Sequence, residues 1–178
     1  MEVGSSLSKE LKVLIESAHN KLKELIDTIK SQITEKKDDI IKHLESDEVN
    51  YAIMRSSGLL LQEQFIKNYE LLNNYIETLE KNCKQISSSN ECPSELRIPL
   101  DSFIYVTKKT NVDNFIKYKE KIQEIYGEQY IDKAEKNEDN FVDVVLVENL
   151  KKKGFTLDEM KLRVKQLCKE RNLEFDFR

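Results

Sequence analysis

The sequence predicts an all-α protein, a long antiparallel helical hairpin with shorter helices packed against it. Two observations carry the fold class. Apolar residues recur at steps of three and four through two long stretches without proline, which is the period of amphipathic helices. A serine-rich break and two prolines, Pro93 and Pro99, then separate these stretches from shorter helical patterns.

The first helix is predicted to start at Ser8, a plausible N-cap, after a flexible N-terminus at residues 1–7. At about 1.5 Å per residue, it would extend on the order of 55 Å. No proline or glycine interrupts its apolar stripe, so one continuous helix is expected. The stripe consists of Leu11, Leu14, Ile15, Ala18, Leu22, Leu25, Ile26, Ile29, Ile33, Ile40, Ile41 and Leu44.

A turn at residues 46–49 leads into the second helix, with Ser46 or Asp47 as its cap. Because this connection is tight, the two helices must pack antiparallel, as a hairpin over residues 8–86. Gly58 is either a tolerated surface glycine or part of a small-residue patch at residues 56–58 that another helix can approach closely. The second stripe consists of Ile53, Leu60, Phe65, Leu72, Tyr75, Ile76, Leu79, Cys83 and Ile86.

Two short helices should follow the proline-containing break. Pro93 suits the first position of a helix, and Pro99 should kink that helix or restart it. A turn at residues 108–111 separates two apolar patterns that carry aromatic side chains. Phe103 and Phe115 are expected in the core, because aromatic rings fill the uneven gaps between crossing helices.

The last part of the chain predicts two more elements. Residues 141–150 are apolar on most sides, which indicates a helix covered by its neighbours or, alternatively, a lone strand. Thr156 should cap the last helix, with Glu159 completing a capping box. The short helices thus occupy residues 93–178, and residues 8–178 are expected to form a single helical domain.

Composition excludes several functional classes. No apolar run approaches the roughly 18 residues that would cross a bilayer, and no signal peptide is visible, so an intracellular soluble protein is expected. A net charge of -4 argues against a nucleic-acid coat and against nucleic acid as a partner. Cys83, Cys92 and Cys168 lack zinc-site spacing and are expected to be free thiols. We expect no catalytic residue, metal or cofactor, because the glycines are isolated and neither histidine has a partner at catalytic spacing.

The order of motifs resembles one family. Two long helices, a serine-rich break, "CPSELRIPLDSFIY", "KEKIQEIYGEQY" and a final helix before "ERNLEF" are similar to the N-terminal domain of the increased-sodium-tolerance family. These proteins are ESCRT-III-like regulators of endosomal sorting. The resemblance covers residues 21–175, and Arg55, Glu70 and Tyr75 fall on family positions. Ser57 and Gly58 depart from it, since the family tends to place a glutamate and a larger residue there.

The resemblance implies a non-enzymatic protein that binds C-terminal helices of ESCRT-III subunits of the charged-multivesicular-body type. It would thereby regulate the assembly or disassembly of membrane-remodelling filaments in multivesicular-body sorting, and would be cytoplasmic and recruited to endosomal membranes. The implied partner groove lies beside the last helix, and the alternative is that its apolar residues are ordinary core. The residues expected in this groove are Phe65, Tyr69, Leu72, Leu157, Met160, Lys161, Val164 and Leu167.

Family members also assemble on membranes through a basic surface of the first helix, for which the candidates are Lys12, Lys23, Lys30 and Arg55. Acidic residues interleave with the lysines of this helix, so membrane association should be weak or dependent on a partner. The vacuolar-sorting AAA ATPase would bind only through a C-terminal motif beyond this chain. Two other readings are a static coiled-coil scaffold or tether with no ESCRT role and a lineage-specific helical effector, although the effector does not explain the motif order.

Overall fold

The structure is a computed structural model that describes residues 2–175, with side chains from Ser6 onward. This part of the chain contains helices and turns and no strand, which confirms the all-α prediction. In chain order the helices are α1 (Glu2–Glu45), α2 (Val49–Lys81), α3 (Cys83–Ser87), α4 (Arg97–Thr110), α5 (Asp113–Tyr126), α6 (Glu128–Lys136), α7 (Val144–Lys151) and α8 (Leu157–Glu170). A 3-10 turn, Ser94–Leu96, precedes α4.

The turn between α1 and α2 is as tight as predicted. Asp47 has a left-handed φ of 60°, and the amide of Glu48 donates to the carbonyl of His43 at 2.8 Å. The amide of Ser46 donates to the carbonyl of Lys42 at 3.1 Å. These bonds satisfy carbonyl groups at the end of α1 that have no partner within the helix. The chain therefore reverses within three residues.

Three predicted helix boundaries are wrong. The first helix begins at Glu2, so Ser8 lies inside it and is not its N-cap. Pro99 lies in the first turn of α4, where a missing amide hydrogen costs nothing, and α4 therefore runs on without restarting. Gly127, with a φ of 93°, ends α5 and starts α6, so the pattern after the first short helix forms two helices.

The chain forms two compact units. Unit 1 consists of Met1–Glu24 and Asn68–Lys151, and unit 2 consists of Leu25–Lys67 and Lys152–Arg178. The long helices α1 and α2 each contribute residues to both units. The single domain expected over residues 8–178 stays a prediction.

Helix α4 is at the centre of unit 1, since every residue from Pro99 to Thr107 is buried. The ring of Phe103 packs edge-to-face on Phe115 and Tyr118, with centroids 5.5 and 5.2 Å apart. Both phenylalanines are therefore core residues, as predicted. Residues 144–151 form the helix α7, but Val144 is 70% exposed, so the expectation of a helix covered on most sides is wrong.

Helix α8 completes the core of unit 2. Its buried side chains pack on apolar residues from the ends of α1 and α2 that flank the turn. Ser56 is fully buried, and its hydroxyl lies 3.2 Å from the carbonyl oxygen of Met160, so a small residue admits α8 at this point. The core cluster consists of Ile40, Leu44, Ala52, Ile53, Leu59, Met160, Val164, Leu167 and Cys168.

The predicted capping box at the start of α8 is present. The hydroxyl of Thr156 accepts the amide of Glu159 at 3.1 Å, and the carboxylate of Glu159 accepts the amide of Thr156 at 2.7 Å. We expect Thr156→Ala to lower the free energy of unfolding by about 1 kcal/mol, measured by urea denaturation. Thr156→Ser keeps the hydroxyl and is the control; an equal loss in both variants would contradict a role of the cap.

Candidate functional site

A buried arginine fixes α8 in unit 2. The side chain of Arg163 is 7% exposed, and its Nε and Nη2 donate to the carboxylate of Glu63 at 2.7 and 2.9 Å. Its Nη1 donates to Glu170 at 3.0 Å. Hydrogen bonding to Glu63 raises the pKa of the guanidinium, which stays charged. A bidentate pair of this kind sets the rotation of α8 about its axis.

Two further ion pairs hold the C-terminal end of α8 to α1. Lys37 donates to Glu170 at 3.1 Å, and Arg171 donates to Asp38 at 2.8 Å. Burial opposes ionisation of Glu170, but Lys37 and Arg163 outweigh it and hold the pKa of this carboxyl below its usual value. The face of α8 that carries Arg163 and the core residues is therefore fully occupied by unit 2 itself.

The opposite face of α8 is open to solvent and carries both apolar and basic groups. Leu162 is 57% exposed, whereas Met160, Arg163 and Val164 are buried. Lys161, Lys165 and Lys169 are exposed and follow one another at steps of four, so they lie along one side of the helix. We call this surface the α8 outer face.

A groove of about 580 Å³ runs along the α8 outer face. After α8 ends, Asn172 takes a left-handed φ of 55° and the amide of Leu173 donates to the carbonyl of Cys168 at 2.8 Å. The chain turns back, and Leu173 and Phe175 pack on the core of unit 2. The groove is lined by Leu162, Lys165, Gln166, Cys168, Lys169, Leu173, Glu174 and Phe175.

Three of the residues expected in a partner groove belong to α8 and lie in the core of unit 2. Met160 is 8% exposed and Val164 and Leu167 are fully buried, so these side chains pack in the core and their role in a partner groove stays a prediction. Their spacing of four and three residues gives one face of a helix, and either a core or a partner could cover that face. In this structure residues of α1 and α2 cover that face of α8.

The other expected groove residues are distributed over both units. Leu157 and Lys161 are exposed on unit 2, and Phe65 is half-buried there. Tyr69 is half-buried and Leu72 is buried, and both belong to unit 1. The sequence reading missed Leu162 as a surface group; the available signal was that it breaks the spacing of the buried α8 residues.

The candidate basic surface is exposed but mixed in charge. Lys12 and Lys23 are exposed on unit 1, and Lys30 is exposed on unit 2. Arg55, also in unit 2, lies 5.3 Å from the ring centroid of Tyr51 and 3.7 Å from Asp39. Its charge is thus partly offset, and the role of these four cations in assembly stays a prediction.

The cysteines are free thiols. Cys83 and Cys168 are buried and Cys92 is half-buried, and burial raises the pKa of each thiol, that of Cys92 to about 11. Among the described residues, no group of three or more histidine, cysteine, aspartate or glutamate side chains could hold a metal ion. None of the helices in that part of the chain combines the length and the apolar composition that a membrane span requires.

Two long helices joined by a tight turn and followed by shorter helices are typical of an ESCRT-III-like helical fold. The chain belongs to the Ist1 family, the regulators of Vps4 activity in the multivesicular-body (MVB) pathway, because the model of that family matches residues 12–174. This confirms the increased-sodium-tolerance resemblance and places the protein among regulators of an endosomal sorting pathway.

The chain is similar over nearly its whole length to a solved structure of the S. cerevisiae Ist1 N-terminal domain in complex with the Did2 MIM motif. The TM-score is 0.84 at 14% sequence identity, and the match covers 96% of this chain and 95% of that one. At this identity the similarity establishes the fold alone. No curated protein sequence matches this chain.

Proposed function

We propose that this protein binds C-terminal helices of ESCRT-III subunits of the charged-multivesicular-body type on the α8 outer face. It would thereby regulate assembly or disassembly of membrane-remodelling filaments without catalysing a reaction. Exposure of Leu162 beside the lysines of this face carries the proposal. A helix that docks there would place an apolar residue on Leu162 and acidic residues against Lys161 and Lys169, which is helix-in-groove recognition.

Two observations support this assignment. The structurally similar S. cerevisiae Ist1 domain is in complex with the Did2 MIM motif, so a domain of this fold can hold such a motif. In unit 2 the core residues of α8 and its buried Arg163 are held by internal contacts, which supports an outer face that is formed before a partner binds. The protein would act in the cytoplasm, recruited to endosomal membranes by these subunits.

The test is a fluorescence anisotropy titration against a labelled C-terminal helix peptide from such a subunit. We expect wild-type protein to bind with a micromolar dissociation constant, and Leu162→Asp to weaken binding at least about tenfold, or about 1.4 kcal/mol. Leu162 is exposed, so the variant should stay folded, which circular dichroism would check. Val144→Asp, an exposed apolar site of unit 1, is the matched control and should bind as wild type.

Loss of binding in Val144→Asp, or no loss in Leu162→Asp, would contradict the assignment to α8. No binding of the wild type up to about 1 mM, where the interaction would be worth only about 4 kcal/mol, would favour the scaffold alternative. That alternative also predicts a stable homodimer in sedimentation velocity.

Membrane association of the isolated protein should be weak. Each cation near an anionic surface contributes about 1 kcal/mol, but acidic neighbours of Lys12, Lys23 and Lys30 on α1 oppose this attraction. In cosedimentation with acidic liposomes, we expect binding at low salt that is lost at physiological ionic strength. Binding that persists there would overturn the expectation and favour a membrane-facing role for α1.

A further inference from the structure

Helix α2 exposes a row of apolar side chains within unit 2. Tyr51 is 53% exposed, Met54 is 62% exposed and Leu61 is 40% exposed. Gly58 lies between the last two, and Phe65 is half-buried one turn beyond. The steps of three, four, three and four residues place all five on one side of the helix. We call this surface the α2 outer row.

The α2 outer row is separate from the surface of α2 that contacts α8. Ser56 and Glu63 make those contacts, and they lie seven residues apart on the same side of the helix. At about 100° per residue, Met54 and Leu61 lie roughly 140–160° around the axis from Ser56. A helix that packs on the Ser56 side of α2, as α8 does, therefore cannot also cover the α2 outer row.

The segment of α2 that carries the α2 outer row is poor in charged residues, as interface cores are. Residues 50–66 contain only Arg55 and Glu63 as charged residues, although charged residues make up 35% of the chain. Glu63 is engaged by Arg163, so it does not contribute a free charge. Single exposed apolar residues are ordinary, but depletion of charge around a row that contains tyrosine, methionine and phenylalanine is typical of interface cores.

A cation lies at the middle of the row. The ammonium nitrogen of Lys36, on α1, is 3.3 Å from where a Cβ would stand on Gly58, and its stem carbons are 3.8 Å away. Glycine thus leaves room for this side chain to lie across α2. Lys36 forms no ion pair with any side chain from residues 6–175, whereas the nearby Arg55 is 3.7 Å from Asp39. The row therefore presents an unpaired positive charge between its apolar groups.

We propose that the α2 outer row is a second docking surface for an amphipathic helix of a partner protein. That helix carries apolar residues at steps of three and four and a carboxylate midway that pairs with Lys36. Charge complementarity selects this occupant over a second copy of the chain. Antiparallel pairing of two copies about Gly58 would bring two Lys36 ammonium groups together, and like charges at an interface centre disfavour association.

The test uses two designed helical peptides, each about 20 residues long so that the helix is populated. Both have leucine at steps of three and four; one has glutamate at the central polar positions and the other has lysine. We expect the wild-type protein to prefer the glutamate peptide about fivefold in anisotropy titrations, a modest effect because the site is partly exposed. Lys36→Glu should reverse the preference, and Met54→Asp should weaken binding about tenfold.

Leu162→Asp is the matched control, because it alters the α8 outer face and leaves the α2 outer row intact. It should leave the glutamate-peptide affinity unchanged, so this proposal and the proposed function can fail separately. Equal affinity for both peptides, or an unchanged preference in Lys36→Glu, would overturn the pairing with a carboxylate. Self-association that Met54→Asp abolishes would overturn the choice of partner and assign the row to a second copy.

Discussion

Arg163→Ala is expected to lower the free energy of unfolding by about 3 kcal/mol. Removing one partner of a buried ion pair costs about 3–5 kcal/mol. Because the side chains of Glu63 and Glu170 are 28% and 44% exposed, water can reach both carboxylates once the guanidinium is gone. Hydration of the two carboxylates should offset part of the cost, so we expect a loss of stability at the lower end of that range. Urea denaturation followed by circular dichroism measures it.

Arg171→Ala is the matched control for this prediction. Arg171 directly follows α8 and, like Arg163, pairs with a carboxylate, that of Asp38, but its side chain is 37% exposed. An exposed pair contributes at most about 1 kcal/mol, so the control should lose far less stability. Equal losses in the two variants would contradict the role assigned to burial of Arg163.

The loss of unfolding free energy in Arg163→Ala should also depend on pH. The folded protein holds the pKa of Glu170 below its unfolded value, so the ionised carboxyl stabilises the fold above the unfolded pKa. This contribution is lost as the pH falls through the folded pKa. The stability difference between wild type and Arg163→Ala should therefore narrow in acid, and a difference that widens there would contradict pairing with Glu170.

Phe103→Ala is expected to destabilise unit 1 by about 3–5 kcal/mol, the usual range for deleting a buried phenylalanine ring. Phe103 is fully buried on α4 and contacts the rings of Phe115 and Tyr118. The cavity would also remove both edge-to-face contacts. Ile98→Ala, at a position 48% exposed on the same helix, is the control and should change stability by about 0.5 kcal/mol or less.

The measurement is the same urea titration, compared with amide hydrogen exchange along α4. A loss below about 1 kcal/mol in Phe103→Ala would show that the core of unit 1 tolerates the cavity by collapse, contrary to the packing described.

The long helices and the last helix could be predicted because each has a strong local signal. Steps of three and four define α1 and α2, and Thr156 with Glu159 defines the start of α8. The break at Gly127 was missed, because apolar spacing continues across it and only the backbone shows the φ of 93°. Periodicity identifies the apolar face of a helix but not the residue with a positive φ at which one helix ends and the next begins.

The family resemblance places the candidate site beside α8, but the sequence does not tell which side chains of this helix are exposed. Met160, Val164 and Leu167 form the most regular apolar face of α8, and that regularity exists because unit 2 buries it. The exposed Leu162 breaks the pattern. Regular apolar spacing identifies the side chains that the core buries. An exposed apolar residue that could bind a partner therefore lies outside that spacing. The position of the Lys36 side chain over Gly58 results from the packing of α1 on α2, and no local pattern in the sequence indicates it.

The most direct test of helix docking is a two-dimensional amide NMR titration of the protein with the ESCRT-III tail peptide, with methyl signals recorded in parallel. We predict shifts concentrated at Leu162, Lys169 and Leu173, with the methyl signals of Val164 and Leu167 unchanged because they remain in the core. Shifts confined to unit 1, or large changes at the Val164 and Leu167 methyl groups, would contradict docking on a preformed α8 outer face.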